Sequence, residues 1–419
     1  MPTRHTMLHL LGLAAALTLA SCTGSDDAIH VCVSNPSGTD RTDVPVVINL
    51  HEVLGRRAAE VMSATVTASA SAGSAAGEPI PSQLDDLDGD LVPDELAFVA
   101  DIPAGTTAQF SIAFSATQQQ QHFAPRTDAF MKVWDRKYRY PRINSIEYTG
   151  DNAPLATYDA IYGHGAQWES ELVGFRVYMD NRQSIDIYGK PTPQLVLDST
   201  NFYSTREHMA AGLGCDILFA GPSVGAGSFR GYVDGEPTYV DSVSARGQRV
   251  VASGPVRAIV EVTDRNWVYA GTVLQMRQRY TIYAGHRDVE VSIDLRGDGA
   301  EEALFCTGVQ KIEMQNQGFI DAEAGLVGSW GLNVPDKAAP DLVEGVGLGV
   351  CVDTAYLAAT KEDAYNYLTI VTPRNGSIRY RLAICALMEK GGFADAGSWF
   401  QWLRRWQREQ AEPCTVSIR

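Results

Sequence analysis

The chain lacks the patterns that usually announce a metal, nucleotide or nucleic-acid site. None of its seven cysteines forms a CxxC pair, which removes the usual zinc frameworks. HExxH and Walker spacings are missing. No basic stripe interrupts a balance of 34 basic against 50 acidic residues, a net charge of −16. A field of that sign repels nucleic acid and anionic lipid surfaces, so no nucleic-acid partner is expected. An anionic substrate stays open, because local arginines override the global field. Helix–strand alternation is also missing, which argues against a parallel sheet of βαβ units. Beyond the N-terminus no apolar run is long enough to cross a bilayer.

The N-terminus reads as an export signal rather than as structure. Residues 1–21 carry early Arg4 and His5, then an apolar LLGLAAALTLA run, and end on Leu19-Ala20-Ser21 before Cys22. That ending resembles a bacterial lipobox, which implies a lipid on Cys22 and a polar tether over residues 22–28. Thr23 after the cysteine is similar to Gram-negative lipoproteins retained in the outer membrane. The lipid would be the only membrane contact.

The mature chain is written in short strands, and the expected class is all-β. Residues 29–117 predict a small β-sandwich, in which Phe110, Ile112 and Phe114 alternate onto one face. Residues 118–127 read as a linker. Residues 128–419 predict a larger antiparallel sandwich, with Val256, Ala258, Val260 and Val262 in one strand and Val289, Val291, Ile293 and Leu295 in another. In the run 272–283, Leu274, Met276, Tyr280 and Ile282 share a face. The opposite face, with Arg277, Arg279, Thr281 and Tyr283, is too polar for a core and is either solvated or lines a groove. Helical spacing of Trp399, Trp402, Leu403 and Trp406 predicts one helix over 396–407, stapled to the sandwich. Cys306, Cys351 and Cys385 sit in apolar runs as small core residues.

Three motifs bear on chemistry. The acidic turn Asp85-Asp86-Leu87-Asp88-Gly89-Asp90 spaces Asp86, Asp88, Asp90 and Asp94 like the start of a calcium loop. Leu91 and Ala97 stand where that loop needs glycine and glutamate, so the turn is either a structural calcium site or a solvated hairpin. Gly221-Pro222-Ser223-Val224-Gly225 matches a nucleophile elbow, but the glycine-rich sequel cannot start the helix which that motif requires. Residues 163–235 place His164 and His208 beside Glu169, Glu207, Arg176 and Arg206, between β-type runs and glycine turns.

Taken with Trp168-Glu169, Phe175-Arg176-Val177-Tyr178, Ile185-Asp186-Ile187-Tyr188-Gly189-Lys190, Glu207-His208, Gly254-Pro255-Val256-Arg257 and the acidic turn, the chain resembles a family of secreted proteins of unassigned function from polysaccharide-utilisation gene clusters. The resemblance covers nearly all of the mature sequence and departs at Ser170-Glu171, where an Asn-Asp pair is expected. It implies a galactose-mutarotase-like supersandwich for the larger domain. A branch of the family is associated with dehydration of uronate oligosaccharides, so it also implies an anionic oligosaccharide substrate. Removing a proton alpha to a uronate carboxylate needs a base, a cation on the carboxylate and an acid for the leaving oxygen. His208 and His164 are the expected base and acid in either order, Arg176 and Arg206 the clamps, and Glu169 an orienting group. Trp168, Tyr203, Lys311 and Trp330 are the expected sugar contacts. No cofactor is expected in the reaction. Two rivals remain: a glycoside hydrolase using Glu169 with Glu207 or Asp186, and a glycan-binding lipoprotein without catalysis.

Overall fold

The computed structural model describes residues 28–69, 77–119, 122–134, 141–152, 155–336 and 339–419. The export signal, Cys22 and the tether up to residue 27 lie outside the described residues, as do 70–76 of the Ala/Ser/Thr-rich tract and 120–121 of the linker. The described chain is all-β, as the alternating runs predict, and every strand pairing is antiparallel.

Two sheets form the small sandwich. A five-stranded sheet contains the strands Ile29–Ser34, Thr107–Ser115 and Ser63–Ala68, and a three-stranded sheet pairs Arg41–Asn49 with Glu95–Ile102 and Ser82–Asp85. Alternation puts Val31, Val33, Phe98, Phe110 and Ile112 between the sheets. The last strand of the chain, Thr415–Ile418, pairs with Ile29–Ser34, so the C-terminus returns to the first sandwich instead of ending in the second as expected.

The larger body is a supersandwich. A nine-stranded sheet, with Arg257–Tyr269, Thr272–Tyr283, Asp288–Arg296 and Ser377–Ala386 at its centre, is covered by a six-stranded and a five-stranded sheet. Trp168 fills the space between the six- and nine-stranded sheets, its ring 5.6 Å from Phe175 on one side and 5.3 Å from Tyr280 on the other. Because side chains alternate across a strand, this fixes which faces look outward. Arg176 points out of the six-stranded sheet beside inward Phe175, and Arg279 points out of the nine-stranded sheet beside inward Tyr280. The two outward faces are therefore on opposite sides of the molecule.

The long helix, Ala396–Ala411, runs one turn further than the sequence predicts. Asp395 caps it by accepting from the Ser398 backbone N–H at 2.8 Å, and Trp399, Leu403 and Trp406 bury its inner stripe. Glycine in the strand beneath makes room. A Cβ at Gly349 would lie 2.2 Å from Leu403 Cδ2, and one at Gly347 would lie 2.8 Å from Trp399. The run Gly345-Val346-Gly347-Leu348-Gly349 is thus a helix-docking strand. All six cysteines among the described residues are free; Cys306 and Cys385 are buried as expected and Cys351 is half-buried.

Polar contacts, some of them buried, join the two sandwiches. Arg257 binds Asp85 at 2.6 Å and Glu95 at 2.8 Å, and Arg126 from the linker binds Asp43 at 2.6 Å. His286 spans the junction, with Nε2 on the Asp43 carbonyl and Nδ1 on Asp288, both at 2.9 Å.

Candidate functional site

The strand Val173–Tyr178 lies between Ile161–Ser170 and Ile185–Gly189, and its register sets Arg176 directly opposite Asp186. Opposed charges on one sheet face pair readily. Arg176 Nε and Nη2 reach Asp186 Oδ2 at 3.0 and 2.6 Å. The Tyr178 hydroxyl receives from Nη2 at 2.6 Å and donates to the same carboxylate oxygen at 2.8 Å. A second carboxylate, Asp216 from the short strand Cys215–Asp216, lies 3.6 Å from Arg176 Nη2. The guanidinium is 3 % exposed and boxed by the rings of Phe202, Tyr178 and Tyr203 at 4.4, 4.7 and 5.0 Å.

These groups form the floor of an open cavity of about 460 Å³ on the outer face of the six-stranded sheet. Loops around Phe202-Tyr203-Ser204, Leu218–Gly221 and Pro335-Asp336 make its walls. Arg182 lines it as well, half-exposed, with Nε and Nη2 held by Asp180 at 3.0 and 2.5 Å.

The electrostatics separate the two carboxylates. Burial, then the neighbouring Asp186 charge, pushes Asp216 well above the usual carboxylate range, and Arg176 only partly offsets this. Asp216 thus faces the cavity with a raised pKa, while Asp186 receives the hydrogen bonds of Arg176 and Tyr178. Burial also opposes the Arg176 charge, but the neighbouring Asp186 carboxylate foremost outweighs it and raises the guanidinium pKa. Tyr178 is held as a phenol, first by burial and then by Asp186.

His164 stands beside this floor. It occupies an irregularity in the strand Ile161–Ser170, where the register shifts between Tyr162 and Gln167. Its own φ is 57°, a strained conformation for a side chain of this size, and the crowded neighbour at 165 must be glycine, since a Cβ there would lie 1.9 Å from the Val177 carbonyl. The ring stacks on Tyr158 at 4.3 Å and lies 6.4 Å from both Tyr178 and Tyr203, whose side chains line the cavity. Nδ1 is 3.1 Å from the Tyr158 carbonyl, an acceptor only, so Nδ1 carries the proton and Nε2 is left as the basic nitrogen.

The structure therefore gathers Arg176, Tyr203 and, behind them, His164, and it disperses the other expected site residues. His208 belongs to the short helix Arg206–Ala210 and does not line the cavity. Its Nδ1 accepts from the Thr205 backbone N–H at 3.3 Å as half of a capping box, so its ring is spent on local structure. Arg206 is a surface residue paired with Asp341 at 2.8 Å, and no clamp. Glu169 is sealed, binding Lys190 Nζ at 2.5 Å and the backbone N–H groups of Val196 and Leu197, so it orients no histidine. It does anchor the segment leading to Phe202 and Tyr203, which gives it a positioning role for the cavity wall. Trp168 is fully buried and Trp330 packs under the long helix, so neither offers a face to a sugar. Lys311 pairs with Glu362 at 2.9 Å on the five-stranded sheet and does not line the cavity.

Sequence reasoning missed Asp216, Tyr178 and Arg182. Strand alternation already places Tyr178 on the face of Arg176; nothing local marks Asp216, which reaches the site through sheet pairing of Tyr188 with Asp216.

The acidic turn is a separate feature in the small sandwich. Ligand oxygens of Asp86, Asp88 and Asp94 lie within 4.8 Å of one another. Asp90 does not join them, and its carboxylate caps the Val92 N–H at 2.8 Å.

No curated protein matches the chain. Among solved structures it is similar to an α-mannosidase from Enterococcus faecalis V583, at 10% identity and a TM-score of 0.46, covering 94% of this chain and 46% of that one. A glycosyl hydrolase family 38 protein from Enterococcus faecalis is similar to the same degree, with 10% identity, a TM-score of 0.46, and coverage of 94% and 48%. The chain spans about half the length of these structures. A family model matches residues 33–416, nearly all of the described chain, and on that match the chain belongs to the family described as Domain of unknown function (DUF4861).

Proposed function

We propose that the protein processes acidic, uronate-containing oligosaccharides by β-elimination in the Arg176 cavity, as a dehydratase or lyase. The observation that carries this reading is the placing of Asp216, which lines an open cavity 3.6 Å from a fixed guanidinium, where burial and the neighbouring Asp186 raise its pKa. Pairs of ionisable groups with divergent environments are the usual mark of acid–base assignments.

The chemistry runs as follows. Arg182, whose side chain is open to the cavity, binds the uronate carboxylate, and the Arg176 charge beneath it stabilises the enolate-like state. His164, which stands behind Tyr178 and Tyr203 and does not itself line the cavity, takes the proton on the carbon next to the carboxylate through one intervening water. The electron pair of that C–H bond becomes the new C=C bond as the neighbouring C–O bond breaks. Asp216 gives its proton to the departing oxygen, which leaves as water or as a sugar hydroxyl. Tyr203, 45 % exposed at the cavity wall, supplies a ring face for the sugar.

Asp186 and Asp216 also form a carboxylate pair, which favours hydrolysis as the second reading. One assay separates the two. Incubation of the purified protein with uronate-containing oligosaccharides is expected to raise near-ultraviolet absorbance as the conjugated double bond forms. New reducing ends without that absorbance establish hydrolysis instead. Neither signal across a panel of such oligosaccharides leaves glycan binding.

The proposal includes export and lipidation at Cys22, with retention at the outer membrane of a Gram-negative cell, supported by the residues 1–27 sequence pattern. It requires no cofactor in the reaction. It places a structural calcium ion at Asp86, Asp88 and Asp94, supported by the closeness of their oxygens.

A further inference from the structure

The outward face of the nine-stranded sheet holds a second and larger concavity, about 1190 Å³, on the side of the molecule away from the Arg176 cavity. Its floor is the polar face of the strands Thr272–Tyr283, Asp288–Arg296 and Ser377–Ala386. Its walls are the end of the long helix, through Gln407 and Gln410, and the small sandwich, through Val47 and Glu95. Arg41 ties the two walls together by donating to the carbonyls of Glu409 and Glu412 at 3.3 and 3.2 Å.

Most guanidinium groups in this groove are already answered. Arg277 binds Asp294 at 2.5 Å, Arg257 binds Asp85 and Glu95, and Arg381 binds Glu290. The exception, Arg379, ends a row set by sheet register. Arg279 pairs with Ser292 and Ser292 with Arg379, so two arginines flank one small hydroxyl residue across three adjacent strands. At about 4.8 Å between strands, their backbones stand about 10 Å apart over a short side chain. Arg279 is held from the far side of the row by Glu261, which faces it across the next strand and accepts from Nε and Nη2 at 2.8 and 2.7 Å, so that only Nη1 of its fork is left over. Arg379 is exposed and has no ion-pair partner among the described residues.

We infer that this groove binds an extended anionic glycan, with one carboxylate or sulfate ester of the chain seated over Ser292 between Arg279 and Arg379. Arginine forks match the geometry of either group. The gap between them is filled by the smallest polar side chain in the row, and a chain with a net charge of −16 binds a polyanion only where guanidinium groups are left over. The groove is a binding site and does not depend on which reaction the Arg176 cavity performs.

The test is calorimetric titration of the full mature chain carrying Asp216→Asn, so that ligand is not consumed. Hexagalacturonate and a sulfated galactan hexasaccharide are the probes, with mannohexaose as the neutral control. One or both anionic probes are expected to bind, the neutral one at least tenfold more weakly. Whichever binds identifies carboxylate or sulfate as the recognised group. Ser292→Glu, which puts a carboxylate in the anion seat, is expected to remove one bound hexasaccharide per chain, and Arg379→Ala to weaken the same event at least tenfold. Both positions are solvent-accessible, and concordant loss in two unrelated substitutions separates site loss from misfolding. Unchanged stoichiometry and affinity in both variants, equal binding of mannohexaose, or no binding of either anion overturns the inference. The absorbance assay on the unsubstituted chain decides the reaction independently.

Discussion

The two concavities of the larger sandwich lie on opposite faces and treat arginine in opposite ways. In the smaller one, Arg176 is sunk among three aromatic rings and committed to Asp186, with Asp216 in reach and forced toward its neutral form. In the larger one, arginines stand across adjacent strands of one outward face, and Arg379 is exposed and uncommitted. Low dielectric around the first arrangement makes each charge strong and shifts pKa values, which proton transfer needs. Solvent around the second screens its charges and leaves Arg379 available, which suits reversible holding of a polyanion. The difference is what the two proposals rest on, chemistry in the small cavity and capture in the large groove.

The largest expected effect falls on the small cavity alone. Asp216→Asn keeps size and hydrogen bonding but cannot deliver a proton, so elimination should fall by about 10²–10⁴-fold. The pH profile sharpens this. A group whose pKa is raised stays protonated further up the scale, so the rate should decline as pH climbs through the elevated Asp216 value. If the rate of the Asn variant keeps that alkaline limb, another residue is the acid.

Next comes a stability contrast. Arg176→Met leaves the Asp186 carboxylate, 6 % exposed, without its partner, and should destabilise the fold by about 3–5 kcal/mol. Arg379→Met removes an exposed, uncommitted charge and should stay within about 0.5 kcal/mol. Denaturant melts of the two variants side by side measure the difference, and equal losses would erase the distinction drawn between the faces.

How far the sequence foretold this contrast depends on which residues met locally. Alternation in 272–283 already separated Tyr280 and Ile282 from Arg279 and Thr281, and the polar face does line a groove. The long helix also packs on the sandwich through Trp399, Leu403 and Trp406, as their spacing implies. The small cavity was only half legible. Arg176, Tyr203 and His164 were singled out, but a histidine beside a carboxylate in sequence says nothing about where its ring points, and His208 turned back to cap its own helix. Glu169 and Trp168 looked functional because polar and aromatic residues next to a glycine strand do. In the fold, strand parity sends Trp168 into the core, and Lys190 with two backbone N–H groups seals Glu169. Asp216 was invisible because it joins Arg176 only through pairing of the short Cys215–Asp216 strand.

A third test bears on the wall that the groove shares with the small sandwich. His286 touches Asp288 and the Asp43 carbonyl, with Arg381 and the Tyr283 ring nearby. Burial works against its charge, but Asp288 and the Asp43 carbonyl prevail and raise its pKa. A histidine with a raised folded pKa stabilises the native state fully below its unfolded value of about 6.5, and that contribution is lost as pH rises through the folded value. Melting temperature should therefore decline on going alkaline across that window, and His286→Gln should flatten the decline. A variant that follows the parent curve would move the pH dependence to other groups.

The smallest expected effect concerns the acidic turn, and it too divides the faces. Backbone N–H groups of Gly89 and Leu91 already satisfy Asp86 at 2.6 and 2.8 Å, so calcium would replace good hydrogen bonds and gain only the surplus. At a concentration equal to Kd, binding adds about 0.4 kcal/mol, a small rise in melting temperature that chelator reverses and Asp88→Asn abolishes. The turn is flanked by Asp85 and Glu95, the two acids that hold Arg257 in the groove. Calcium should accordingly tighten hexasaccharide binding in the groove and leave the elimination rate in the Arg176 cavity where it was. A change in that rate with calcium would mean the opposite faces are mechanically joined through the sandwich.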